Sequence, residues 1–273
     1  MSGGAPSISA VRTLTPRERR AVAELIRRVL DAGEPPLLRA FLFGSKARGD
    51  YRRDSDVDVL AICAIDADER DAAAAALAAH AARVSRATGV RVEPWAVPET
   101  DLEVGGRTPM LVDALDDGIP LWPRGAPPIR IAFTAADAAF CAACLVDWVD
   151  AGGAVARRAL AEGRTADAAA RIRDDITRMA TAALLLDGDT RHRRVGSLRR
   201  FAWRWVRTGR VSRRVLPALH WAAAAYPPPD ACRARPVPAT PAAVASARRG
   251  YDLAATMEEE MIPLLLRRIE STP

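Results

Sequence analysis

Asp56 and Asp58 stand one residue apart in the run Asp56-Val57-Asp58-Val59-Leu60-Ala61-Ile62, and Gly44-Ser45 lies ahead of them with ten residues between. Side chains alternate faces in an extended chain. The two carboxylates therefore share one surface, where they can hold a divalent cation or a pair of them, while Val57 and Val59 enter a core. The Gly-Ser pair follows the apolar run 37–43 and offers free backbone N–H groups, a small hydroxyl and a tight turn. A polyphosphate tail requires those features. Phosphates, divalent metal and carboxylates together imply phosphoryl or nucleotidyl transfer.

The elements that position these residues can be read from caps and periodicity. Thr15-Pro16-Arg17-Glu18 has a capping threonine, proline at the first helical position and glutamate three residues after the cap, which opens a helix to about Ala32. Gly33 and Pro35-Pro36 end it. Residues 37–43 form a strand apolar almost throughout, as expected of a central one. The Gly-Ser turn, a short helix and the loop 51–55 lead to a second strand over 56–63. A helix over 68–88 ends at Gly89, and a third strand over 90–97 carries Glu93. Residues 109–117 read as helix and 119–122 as a short last strand. The proline-rich stretch 123–128 reads as a linker. Beyond it only helices are expected, at about 134–150, 165–186, 197–207, 212–226 and 240–269, with Pro227-Pro228-Pro229 separating the last two.

A chain of 273 residues with 49% hydrophobic and only 5% aromatic content suits helical cores of Ala, Leu and Val. No run of about 18 apolar residues occurs, so no membrane span is expected. The N-terminal residues lack the plan of a secretion signal, so a cytoplasmic location is expected. Cys141-x-x-Cys144 has no second Cys or His pair at matching spacing, and reads as two core thiols rather than a zinc site. Residues 1–122 carry a balance of −3 and residues 123–273 one of +9. Lys46 is the only lysine. Ten arginines fall between Arg191 and Arg214, with Phe201, Trp203 and Trp205 among them, and no acid lies between Asp189 and Asp230.

Gly44-Ser45-Lys46-Ala47-Arg48-Gly49-Asp50 and Asp54-Ser55-Asp56-Val57-Asp58-Val59-Leu60 resemble the signature of the minimal nucleotidyltransferases of the DNA polymerase β superfamily, over roughly residues 20–122. The resemblance implies an α+β chain: a polymerase-β-like domain with a mixed sheet and helices over 1–122, a linker over 123–133 and an all-α helical bundle over 134–273. It implies that Asp56 and Asp58 hold Mg²⁺ on a nucleoside triphosphate, two ions in all, with Mn²⁺ as the alternative. Gly44 and Ser45 would bind the β and γ phosphates. Glu93 would be the third carboxylate, helping to hold the second metal and receiving the acceptor's proton. Its other reading is a strand-end glutamate paired with Arg91 or another arginine. Lys46, Arg48, Arg52 and Arg53 lie between turn and carboxylates, and Lys46 and Arg48 are assigned to triphosphate charge, Arg48 being one helical turn from Gly-Ser. Trp95 is read as core.

Residues 134–269 resemble the HEPN-type bundle, best at Ala182 to His192 followed by Val195, Phe201 and Val206-Arg207-Thr208-Gly209. The helix around Arg171 lacks the histidine that the family's ribonucleases carry, which argues against ribonuclease activity. His192 reads as a cap or solvated residue and His220 as core. The implied reaction is transfer of AMP from ATP, with pyrophosphate released, to a hydroxyl on a small molecule such as an antibiotic or on a protein side chain. In the antibiotic case Asp174 or Asp175 is a candidate base. The alternative is a toxin–antitoxin-type or RNA-binding regulatory module with little catalysis. RNA is the lesser partner reading, no membrane is expected, and a homodimer stays open.

Overall fold

The computed structural model of the chain describes Ile8 and residues 11–52, 54–190, 194–225 and 240–272. Arg53, Arg191, His192 and residues 227–229, and the side chain of Val195, lie outside the described residues. Two compact units divide between Phe133 and Thr134.

In the first unit Thr15 accepts from the Glu18 N–H, and the Glu18 carboxylate accepts from the Thr15 N–H at 2.7 Å. This reciprocal cap starts α1 (Pro16–Ala32), which ends at Gly33 in the left-handed region. The remaining elements are β1 (Leu37–Phe43), α2 (Gly44–Arg48), β2 (Val57–Cys63), α3 (Arg70–Thr88), β3 (Val92–Pro98), α4 (Pro109–Asp116) and β4 (Ile119–Trp122). They build a mixed four-stranded sheet in the order β3-β2-β1-β4. β1 runs antiparallel to β2 and β4, while β2 and β3 are parallel. The parallel pair is joined by α3, since such a connection needs a crossover.

Alternation along the strands sorts side chains to two cores. Ala40, Leu42, Val57, Val59 and Ala61 pack with Val22, Leu25 and Ile26 of α1 and Leu77 of α3. Phe41, Leu60, Ile62 and Val97 face the other way, against Leu111, Ala114 and Leu115 of α4. Ile129 and Ile131 of the 123–133 stretch pack on this second cluster, and Arg107 donates to the Ala132 carbonyl at 2.9 Å. The sheet thus buries both faces, which is why β1 and β2 are apolar nearly throughout. β2 begins at Val57, so Asp56 lies one residue outside the strand.

The second unit is helical: α5 (Ala135–Ala161), α6 (Thr165–Leu186), α7 (Arg194–Phe201), a π turn (Ala202–Val206), α8 (Leu216–Ala224) and α9 (Pro241–Glu270). α6 packs against α5, α7, α8 and α9. Its core combines small Ala side chains with Ile172, Ile176, Phe201, Trp205, Met257 and Met261. α5 was expected to stop near Asp150, ahead of Gly152-Gly153, but runs through them. Gly152 is a close-packing position: a Cβ there would lie 2.4 Å from an Asp175 carboxylate oxygen. By length and composition α5 could cross a membrane, unlike the expectation from sequence. It packs on α6 and α9, and Asp137 is buried in its first turn. Cys141 is buried in it, and burial pushes its thiol up to about 12. His220, read as a core residue, is exposed on α8.

Candidate active site

The β1–α2 junction and the adjoining ends of β2 and β3 place the chemistry-bearing residues. Phe43 is the register partner of Asp58 across β1–β2, and Asp58 that of Glu93 across β2–β3. Asp58 points to the α4 side of the sheet, in line with Leu60 and Ile62, and Glu93 is in line with Trp95 and Val97. Trp95 packs on Phe43 with ring centroids 5.8 Å apart, an aromatic floor next to the carboxylates.

Gly44 follows Phe43 with φ +71, a conformation that suits glycine. The second reason for glycine is closer to the chemistry. A Cβ at position 44 would lie 2.4 Å from Asp58 Oδ2, so the Asp58 carboxylate is seated directly against the Gly44 backbone. Burial, then the charges of Asp56 and Glu93, hold the Asp58 pKa above the ordinary carboxylate value, against the pull of Arg48 and Arg91. Three carboxylates thus repel one another at one sheet end.

Arg91 answers that repulsion. Its guanidinium donates to Asp56 and lies 3.6 Å from Glu93. The strand-end pairing of Glu93 with Arg91 is therefore present, and Arg91 reaches Asp56 as well. Arg48 is 3.2 Å from Asp50 and 3.4 Å from Asp117, on the Asp58 side of α2.

Lys46 has partners within the first unit. Its side chain is 2% exposed, 2.8 Å from Glu18 of α1, with the ammonium 4.0 Å from the centroid of the Tyr51 ring. Burial opposes ionisation of Glu18, yet the Lys46 and Thr15 hydrogen bonds bring its pKa below the ordinary value. Lys46 ties α2 to α1. The sequence gives Glu18 a complete role as a capping residue, which hides its pairing with Lys46.

Residues 22–117 match the family model of the nucleotidyltransferase domain. No curated protein and no solved structure matches the chain. The match covers the sheet through β3, most of α1, all of α4 and the whole Gly44–Asp58 stretch. It supports nucleoside monophosphate transfer as the general activity, and a nucleoside triphosphate as substrate. It ends before the helical unit, whose HEPN-like reading rests on sequence resemblance alone.

A nucleotidyltransferase domain calls for a test of metal fit. Asp56, Asp58 and Glu93 are hard oxygen donors, the chemistry that suits Mg²⁺ or Mn²⁺. Among the described residues no three such groups converge as a finished ligand set. The cationic position between Asp56 and Glu93 is taken by the Arg91 guanidinium. The donor chemistry suits a divalent cation, and in this structure Asp56 and Glu93 both pair with Arg91.

Proposed function

We propose that this nucleotidyltransferase domain transfers AMP from ATP to a hydroxyl acceptor. The acceptor oxygen bonds to the α phosphorus, the bond from that phosphorus to the bridging oxygen breaks, and pyrophosphate leaves. The observation that carries the reading is the seating of Asp58, against the Gly44 backbone on one side and opposite Glu93 on the other. Phosphates bound at Gly44-Ser45 would lie next to the carboxylates.

Asp56 and Asp58 would hold Mg²⁺, with Glu93 joining them once Arg91 releases it. A bound ion supplies Lewis acidity at the phosphates. Gly44 and Ser45 orient the β and γ phosphates, and Arg48 offsets their charge. Glu93 accepts the acceptor's proton. Lys46 is left out of this set and kept as a structural residue. The acceptor is a small hydroxylated molecule or a protein side chain.

The test is pyrophosphate release from each nucleoside triphosphate with Mg²⁺, across hydroxylated antibiotics and protein acceptors, this chain included. Release with ATP and at least one acceptor, lost in Asp58→Asn, supports the reading. Release that persists when Asp56→Asn and Asp58→Asn are combined would overturn it.

A further inference from the structure

The helical unit carries a second, separate feature. Arg199, Arg200, Trp203, Arg204 and Arg207 line an open cavity of about 670 Å³. The aromatic residues here divide between core and solvent. Phe201 and Trp205 are buried, with ring centroids 5.9 Å apart, while Trp203 between them is 63% exposed. The chain passes through the π turn at this point, with the Arg207 N–H bonded to the Ala202 carbonyl at 2.9 Å. Such turns recur at functional positions.

A single exposed indole means little alone. Here its neighbours give it meaning. The Arg207 guanidinium lies 3.8 Å from the Trp203 centroid and holds the ring in place. Arg200 is held by Asp189 at 2.9 Å, and Arg204 lies 3.7 Å from the same carboxylate. Arg199 and Arg207 have no ion pair among the described residues. The sequence from 190 to 229 contains no acid to neutralise them.

We propose that this cavity binds single-stranded nucleic acid, one base stacking on Trp203 and the adjoining phosphates meeting Arg199, Arg204 and Arg207. A single strand repeats a flat ring and an anion in turn, and the cavity offers a ring and cations at the same scale. An acidic peptide would meet the arginines but leave the indole unmatched. A duplex keeps its bases stacked inside and offers Trp203 nothing. The inference goes beyond the transfer reaction and does not depend on it.

The test uses the full chain in EDTA, so that no divalent ion bridges the nucleic acid to the first unit. A labelled 12-nucleotide single-stranded RNA is titrated by fluorescence anisotropy between 50 and 200 mM salt. Binding is expected with a log–log salt slope of about −2, the value for roughly three phosphates on a single strand. Trp203→Ala should weaken binding about ten-fold with the slope unchanged. Arg199→Gln combined with Arg207→Gln should weaken it and flatten the slope. Both sites are exposed, so melting temperatures should hold and exclude misfolding. Absence of binding at 50 mM salt would overturn the proposal. So would preference for duplex or for a poly-glutamate peptide, or binding indifferent to Trp203→Ala and matched by heparin, which would be attraction to polyanions alone.

Discussion

Gly44 answers two demands at one atom, a positive φ and the approach of Asp58. Gly44→Ala should cost about 1–2 kcal/mol from backbone conformation alone. The new methyl would also displace the Asp58 carboxylate, 2.4 Å from where it would sit. Transfer should fall about a hundred-fold or more, while the melting temperature drops by only a few degrees. Lys46 and Arg48 give the complementary prediction. Lys46→Met should destabilise the first unit by about 3 kcal/mol, because it strands Glu18 beside an apolar partner. It should leave KM for ATP unchanged. Arg48→Gln should raise KM for ATP with little effect on melting. Calorimetry beside steady-state kinetics reads both, and the reverse pattern would return Lys46 to the nucleotide. The sequence placed Lys46 inside the phosphate motif but could not tell which way α2 turns it. That direction is set by Glu18, 28 residues earlier in the chain.

At the scale of elements, local signals proved legible wherever the controlling chemistry is local. The Thr15–Glu18 cap, the Gly33 and Gly89 stops and the near-continuous apolar run of β2 all depend on neighbours in the chain. The continuation of α5 does not. Gly152-Gly153 carries the composition of a break, and only the α6 surface explains why Gly152 is there. The pair yields a contrast within one helix. Gly152→Ala places a methyl 2.4 Å from the Asp175 carboxylate and should destabilise by about 1–3 kcal/mol. At Gly153 a Cβ meets nothing within 4 Å. Gly153→Ala should therefore stabilise by up to about 1 kcal/mol through helix propensity. Thermal denaturation of the two variants checks this, and equal effects would contradict the packing account. The antiparallel placement of β4 beside β1 was also beyond the sequence, because strand order is decided by long-range pairing.

For the whole molecule, two acids of the helical unit whose pKa is raised by burial, Asp175 and Glu258, shape its response to pH. Asp175 has its pKa raised from 3.8 to about 6, chiefly by burial and against the pull of Arg178. Glu258 is raised too, by burial and then by Asp150. Between about pH 4 and 6 the folded chain holds more protons at Asp175 than the unfolded chain, so its stability falls as pH rises through that window. Above it the loss is complete, on the order of 3 kcal/mol. Denaturant titrations of the full chain from pH 4 to 7 should show the decline in the helical unit, and Asp175→Asn should flatten it. A helical unit that gains stability over the same range would contradict the assignment. In the first unit, the bond broken is expected to lie between the α and β phosphates, beside Asp58. Parallel reactions with ATP labelled at the α or the γ phosphate test it most directly. Label from the α position should appear on the acceptor and label from the γ position in pyrophosphate, both lost in Asp58→Asn. Label from the γ position on the acceptor, or transfer that survives Asp58→Asn, would contradict it.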